Sequence, residues 1–394
     1  MKSNDSQPRT STAIRRVIDL TTLAAKMWVN FSVVLLLVAL VEVSLMFYYK
    51  ISDEAKREHA VKAAAYSGAY QDAALAEEYL KERVDAVDWP LPLAPYTQSR
   101  EPDYTGKFLN VHDGVRRTWN LEPTNGDKSA RLNIFFFGGS TLWGWGSRDD
   151  FTIPSLVAKN LVKSGISAKV TNYAVNGDAT TQSLIRFIFE LRKRNVPDLV
   201  IFYGGLIDAE SACNEGRPGL PLDGPDFERM SRGNEARVSI KPEHFAIMRF
   251  LAGRKQHGGC QKNLDALSDG AADVYFSNIR FIEGISKSLL FKTLFYLEPQ
   301  LTDKIPVTIY EQKGIERHDG WLPGASSLYS LMRNKVVAKD HERAEQSVLN
   351  DLRSIFSGVS IPIYMDSEHY GEDGNSRIAQ KIAADILALY ASVK

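Results

Sequence analysis

Three short stretches of the chain carry side chains that could share one reaction. Gly138-Gly139-Ser140-Thr141 sets a hydroxyl in a tight turn, Asn176-Gly177-Asp178 sets a glycine amide in another, and Asp366-Ser367-Glu368-His369 puts a carboxylate three residues before an imidazole. That last spacing lets the chain curl so that the Asp366 carboxylate accepts from His369, fixing the ring's tautomer and leaving its other nitrogen free as a base. A base held in this way can activate a serine hydroxyl for acyl transfer, and Ser140 is the candidate nucleophile. Taken singly, each stretch is most often an ordinary turn. Their specificity is joint, because each follows a predicted strand.

Those strands come from an alternation of short apolar runs with helical periodicity. Leu132 to Phe137, Lys169 to Val175 and Leu199 to Tyr203 read as strands, while Thr152 to Lys163 and Thr181 to Arg194 between them read as helices. Strand and helix in alternation predict an α/β fold, a three-layer α/β/α sandwich of flavodoxin-like type around a mostly parallel five-stranded sheet. Phe291 to Leu297 and Ile361 to Met365 are the expected fourth and fifth strands, and an amphipathic helix from about Asn375 closes the chain. In such a sheet ligands bind beyond the carboxyl ends of the strands, where all three stretches fall.

The sequence resembles the SGNH, or GDSL-like, hydrolases. The matching stretches are FFFGGSTLWGWG around Ser140, NYAVNGDATTQSLIRF around Gly177 and MDSEHYGEDGNSRIA around Asp366 and His369. It more narrowly resembles the membrane-anchored subgroup associated with bacterial surface polysaccharides, through GKFLNVHDGVRRTW from Gly106 to Trp119. The resemblance implies Ser140 as nucleophile, His369 as base and Asp366 as its orienting partner, with the amides of Ser140 and Gly177 in the oxyanion hole. One position departs from the family. Its G-x-N-D block reads Gly205-Leu206-Ile207-Asp208 here, so the usual asparagine donor is replaced by Ile207. Asn176 and Asn214 are conceivable substitutes.

The remaining features concern anchoring and organisation. Met27 to Tyr49 is apolar over about the length that spans a bilayer as a helix, with Trp28 and Phe31 at one end and Phe47, Tyr48 and Tyr49 at the other. A lipid bilayer is therefore one expected partner. Residues 1–26 are expected to be a cytoplasmic tail and 27–49 the transmembrane helix. Residues 50–94 read as a helical stalk and linker, and 95–394 as the catalytic domain, with an insertion at about 209–290. Glu42 within the span is expected to reach water or be neutralised, or else to contact another membrane protein. Cys213 and Cys260 both lie in the insertion; in an oxidising compartment they would pair, and otherwise they are buried thiols.

With 48 basic and 48 acidic side chains the chain is neutral, which offers no general attraction to nucleic acid. The seven histidines form no H-x-x-x-H or H-E-x-x-H pair, so neither metal nor cofactor is expected. The expected function is that of a serine esterase on the outer side of a bacterial inner membrane, acting on acyl esters, acetyl first among them, of a surface carbohydrate. The alternatives are an O-acyltransferase using the same triad and a non-catalytic binding subunit of a polysaccharide assembly. Trp143, Trp145 and Tyr370 flank the catalytic turns and either stack on sugar rings or pack the sheet edge.

Overall fold

The computed structural model describes residues 10–87, 91–122, 131–222, 245–252, 260, 263–317, 324–343 and 348–391. The connector residues Trp89 and Pro90, and much of the expected insertion, lie outside them. The chain divides into two compact units: residues 1–59 with 235–256, and residues 60–234 with 257–394.

In the first unit, helix α1 (Thr10–Ala65) contains one segment long and apolar enough to cross a membrane. Glu42 does not stand alone within it. Its carboxylate accepts from the amides of Ala246 at 2.5 Å and Ile247 at 2.9 Å, at the start of the short helix Ala246–Ala252. Arg249 of that helix pairs with Asp53 at 2.9 Å and lies 4.0 Å over the Tyr49 ring.

The second unit is built on an eight-stranded sheet. In chain order its strands are β1 (Tyr104–Thr105), β2 (Asn110–His112), β3 (Val115–Arg116), β4 (Leu132–Gly138), β5 (Ala168–Asn172), β6 (Leu199–Gly204), β7 (Lys292–Leu297) and β8 (Leu349–Asp351). They lie in the order β8-β7-β6-β4-β5-β3-β2-β1. The last five strands in the chain pair in parallel, and the first three form an antiparallel extension beyond β5. The parallel part keeps the expected doubly wound order, with its reversal between β4 and β6.

Central strand β4 shows why the layers form. Ile134 and Phe136 enter one core beside Val157 and Leu161 of helix Ile153–Lys163, and Ile378 and Ile382 of helix Glu372–Ala391. Phe135 and Phe137 enter the other beside Phe187, Ile279 and Met332 from helices Thr180–Arg192, Leu264–Leu289 and Ala325–His341. Both faces are covered, so the strand is a continuous apolar run rather than an alternating one.

Three expectations are corrected. Ile361 to Met365 is not a strand: the amides of Ile363 and Tyr364 donate to Glu311 Oε1 instead of to a neighbouring strand. The fifth parallel strand is β8, whose Leu-Asn-Asp sequence carries no apolar run. The expected stalk is shorter than 50–94, because Val61, Ala65, Tyr79 and Leu80 belong to the core of the second unit. The expected insertion includes a 26-residue helix, Leu264–Leu289, that supplies the crossover between β6 and β7.

Cys213 and Cys260 are joined by a disulfide with their Cα atoms 4.8 Å apart, across a sequence separation of 47. Closing a loop of that size stabilises the folded chain by on the order of 4 kcal/mol in the chain-entropy view. Replacing both cysteines by serine should lower the urea unfolding free energy of the full chain by about that amount. An unchanged midpoint would show that the cross-link contributes nothing.

Candidate active site

The nucleophile turn is shaped by close backbone approach. Gly138 ends β4 so near β6 that a Cβ there would lie 2.2 Å from the Tyr203 carbonyl oxygen. Gly139 then precedes a single helical turn, Ser140–Trp143, which ends at Gly144 with φ of +97°. A Cβ on Gly139 would stand 3.3 Å from both the Asp178 carbonyl oxygen and Ile207 Cγ1, so the three turns after β4, β5 and β6 lie against one another.

Ser140, His369 and Asp366 form one continuous hydrogen-bonded row. His369 Nε2 is 2.8 Å from Ser140 Oγ, and Nδ1 is 2.8 Å from Asp366 Oδ2. Asp366 Oδ1 accepts from the amides of Glu368 at 3.0 Å and His369 at 2.7 Å, so its own loop holds the carboxylate in place. Burial raises the Asp366 carboxyl, but the charge of His369 and these hydrogen bonds outweigh it and hold the group below its ordinary value. The side chain is nevertheless 40% exposed. Among the described residues, the amides of Ser140 and Gly177 donate to no group, leaving both available to an oxyanion.

The departure at Ile207 has no substitute among the residues considered. Both side-chain polar atoms of Asn176 are buried, unpartnered and closed to solvent, so they cannot meet a substrate in the crevice. Asn214 sits in the last turn of helix Leu206–Glu215 and bonds to Glu215. Ile207 itself, only 7% exposed, lines a narrow crevice together with Gly138, Gly139, Gly204, Gly205 and Glu298.

Two residues central to this geometry were given no role by the sequence, although Arg116 lies within the Gly106 to Trp119 stretch. Arg116, fully buried on β3, donates to the carbonyls of Trp143 at 3.0 Å, Gly144 at 2.7 Å and Ser147 at 2.6 Å, and to Asp149 at 3.1 Å. It also lies 4.2 Å over the Trp143 ring. Tyr79 adds hydrogen bonds to the carbonyls of Gly144 and Trp145, and Tyr70 adds one to that of Gly146. Glu298, one residue past β7, joins two turns: Oε2 accepts from Thr141 Oγ1 at 2.5 Å and Oε1 from the Leu206 amide at 3.2 Å. Its position at a strand's carboxyl end was the available signal; Arg116 lies in the stretch before the core.

The aromatic candidates resolve as packing. Trp143 is wholly buried, and Tyr370, 2% exposed, donates to the Pro299 carbonyl. Trp145 stacks on the His369 imidazole, with ring centroids 5.5 Å apart. Asp103, His112 and Asp113 bring their ligand atoms within 4.8 Å of one another, but all three are exposed, as acidic clusters commonly are without a metal.

No protein-family model matches the chain, and no curated protein matches it. Among solved structures it is similar to the acetyl xylan esterase AlAXEase, at 14% identity over 65% of this chain and 100% of that one, with a TM-score of 0.36. It is also similar to Axe2, an acetylxylan esterase from Geobacillus stearothermophilus, at 12% identity over 65% and 94% with a TM-score of 0.35. A lipase/acylhydrolase from Enterococcus faecalis matches at 15% identity over 65% and 95%, with a TM-score of 0.34. At such low identity and superposition, the chemistry has to be read from the chain's own residues.

Two predictions follow from the supports of the site. Breaking a buried ion pair by removing one partner costs about 3 to 5 kcal/mol, so Arg116→Met should destabilise the fold by that order and leave the turn carbonyls without donors. Chemical denaturation measures the loss, and a change under about 1 kcal/mol would remove Arg116 from this role. Glu298 has its carboxyl raised by burial to about 7. A raised acid binds its proton more tightly when folded, so its contribution is complete below about pH 4.5 and is lost as pH rises through 7. Wild-type stability should therefore fall by about 3 kcal/mol more than that of Glu298→Gln between pH 4.5 and 8. Parallel stability curves would refute this.

Proposed function

We propose that the chain is a membrane-anchored serine esterase that cleaves acyl, most simply acetyl, esters of a surface carbohydrate on the outer side of a bacterial inner membrane. The observation that carries the reading is the row Ser140 Oγ, His369 Nε2, His369 Nδ1, Asp366 Oδ2, with both links at 2.8 Å. In it Ser140 attacks the acyl carbonyl while His369 takes its proton, and Asp366 steadies the imidazolium that results. The amides of Ser140 and Gly177 receive the negative charge that develops on the carbonyl oxygen. His369 then returns the proton to the departing sugar hydroxyl, and water repeats the sequence on the acyl enzyme. Anchoring rests on the apolar part of α1, and an oxidising compartment on the Cys213–Cys260 bond.

Ile207 favours a second reading. A hole short of one donor loses roughly 10²- to 10³-fold in turnover, which suits an acyltransferase with a specialised acceptor or a subunit that only binds. In the full chain reconstituted into nanodiscs, wild type should release acetate from an acetylated oligosaccharide, and Ser140→Ala should abolish release. Ile207→Asn should raise kcat, up to about 10²-fold, by returning the amide beside Gly139. A wild type that is inert while Ile207→Asn is active moves the natural role to transfer or binding. Equal release from wild type and Ser140→Ala overturns the esterase reading.

A further inference from the structure

Among the described residues of the second unit, the basic side chains largely withdrawn from water are paired, with one exception. Arg116 meets Asp149, Lys304 meets Glu311, Arg333 meets Asp303 and Arg186 meets Asp178. Arg83, in the last turn of helix Ala73–Ala86, is 8% exposed, and its Nε is buried without an acceptor. Among the described residues, no carboxylate, carbonyl or hydroxyl accepts from its guanidinium. A cation withdrawn from water without a partner is costly, and what it has instead is the face of an indole: its Cζ lies 4.0 Å from the Trp145 ring centre.

The place of this cation is set by the catalytic machinery. Trp145 stacks on His369, so Arg83 and the base share one aromatic neighbour. The helix that carries Arg83 is fixed to the nucleophile turn one helical turn earlier, where Tyr79 donates to the carbonyls of Gly144 and Trp145. Burial pulls the guanidinium below its ordinary value, and the negative charge of Asp366 opposes that pull. With its face on an indole, the guanidinium keeps its planar fork of donors for a group from outside, and that fork matches a carboxylate.

We infer that Arg83 is an anion subsite that takes a carboxylate borne by the sugar chain whose ester is cleaved, so that the substrate is an acidic, uronate-containing polysaccharide rather than a neutral one. This rests on the esterase reading, because it is the Trp145 ring shared by Arg83 and His369 that makes the anion part of the substrate. Docking the carboxylate there pairs the buried cation and presents the neighbouring ester to Ser140.

The test compares acetylated oligogalacturonate with acetylated xylo-oligosaccharide on the full chain in nanodiscs. Wild type should favour the anionic substrate at least tenfold in kcat/KM, mainly through KM. Arg83→Met, which keeps an apolar stem against Trp145, should erase that preference, and Arg83→Lys should restore part of it. An equal loss on both substrates in Arg83→Met, or a wild type indifferent to substrate charge, overturns the subsite.

Binding is measured separately by calorimetry with unacetylated oligogalacturonate and xylo-oligosaccharide on Ser140→Ala. Preferential uptake of oligogalacturonate that is lost on adding Arg83→Met supports the subsite even if wild type cleaves no ester, in which case only the esterase reading fails. No preference in this measurement overturns the subsite whether or not esters are cleaved. If Arg83→Met does not fold, Arg83→Gln replaces it with the same expectations.

Discussion

The grip of Arg116 on the segment from Trp143 to Ser147 is the interaction on which the candidate site depends. After the single helical turn at Ser140, the chain reverses and presents successive carbonyls inward, beyond the reach of water. Buried carbonyls need donors, and one guanidinium meets three of them while its charge is balanced by Asp149. Asp149 in turn accepts from Asn110 of β2 at 3.0 Å. The antiparallel extension of the sheet is therefore a mounting for the nucleophile turn as well as an edge.

The other half of the site is held by acids. Glu298 joins the turn after β4 to that after β6, and Asp208 accepts from the amide and hydroxyl of Thr180, tying the helix after β5 to the same place. Burial raises both carboxyls, to about 7 for Glu298 and about 6 for Asp208. Each lines the crevice beside Ile207, so that crevice is bordered by groups that are neutral or charged according to pH. Ile207 brings no hydrogen-bond donor to a wall it shares with Phe137, Phe202 and Tyr275 as well as with the glycines and acids.

The sequence was most legible where one physical cause dominates. Apolar runs bounded by turns marked β4, β6 and β7, because strands covered on both faces have little polar alternation to confuse the pattern, while β5, Ala-Lys-Val-Thr-Asn, alternates in sequence and in burial. Asp366 and His369 could be read from three-residue spacing, since the loop between them closes on itself. β8 was hidden because a three-residue edge strand of Leu, Asn and Asp carries no apolar signal, and Ile361 to Met365 misled because its donors go to the side chain of Glu311. Glu298 had no motif, and Arg116, though within the Gly106 to Trp119 stretch, had no assigned role: both roles arise only when distant segments meet. Arg83 lay in a stretch whose Ala, Glu and Lys content resembles a solvated helix, and nothing local distinguishes a buried arginine from an exposed one.

The hydroxyls of Tyr70 and Tyr79 carry one more consequence, for where the catalytic part of this chain begins. Composition draws a boundary near residue 95, after the prolines. A fragment cut there would retain every strand of the large sheet and all three members of the catalytic row. It would lose the phenols that hold Gly144, Trp145 and Gly146, and Ala69, against whose carbonyl oxygen Gly371 is packed so closely that a Cβ would stand 2.3 Å away. The smallest self-sufficient piece is therefore longer at its amino end than the sheet alone requires, and the helical segment before the prolines is part of the second unit's interior.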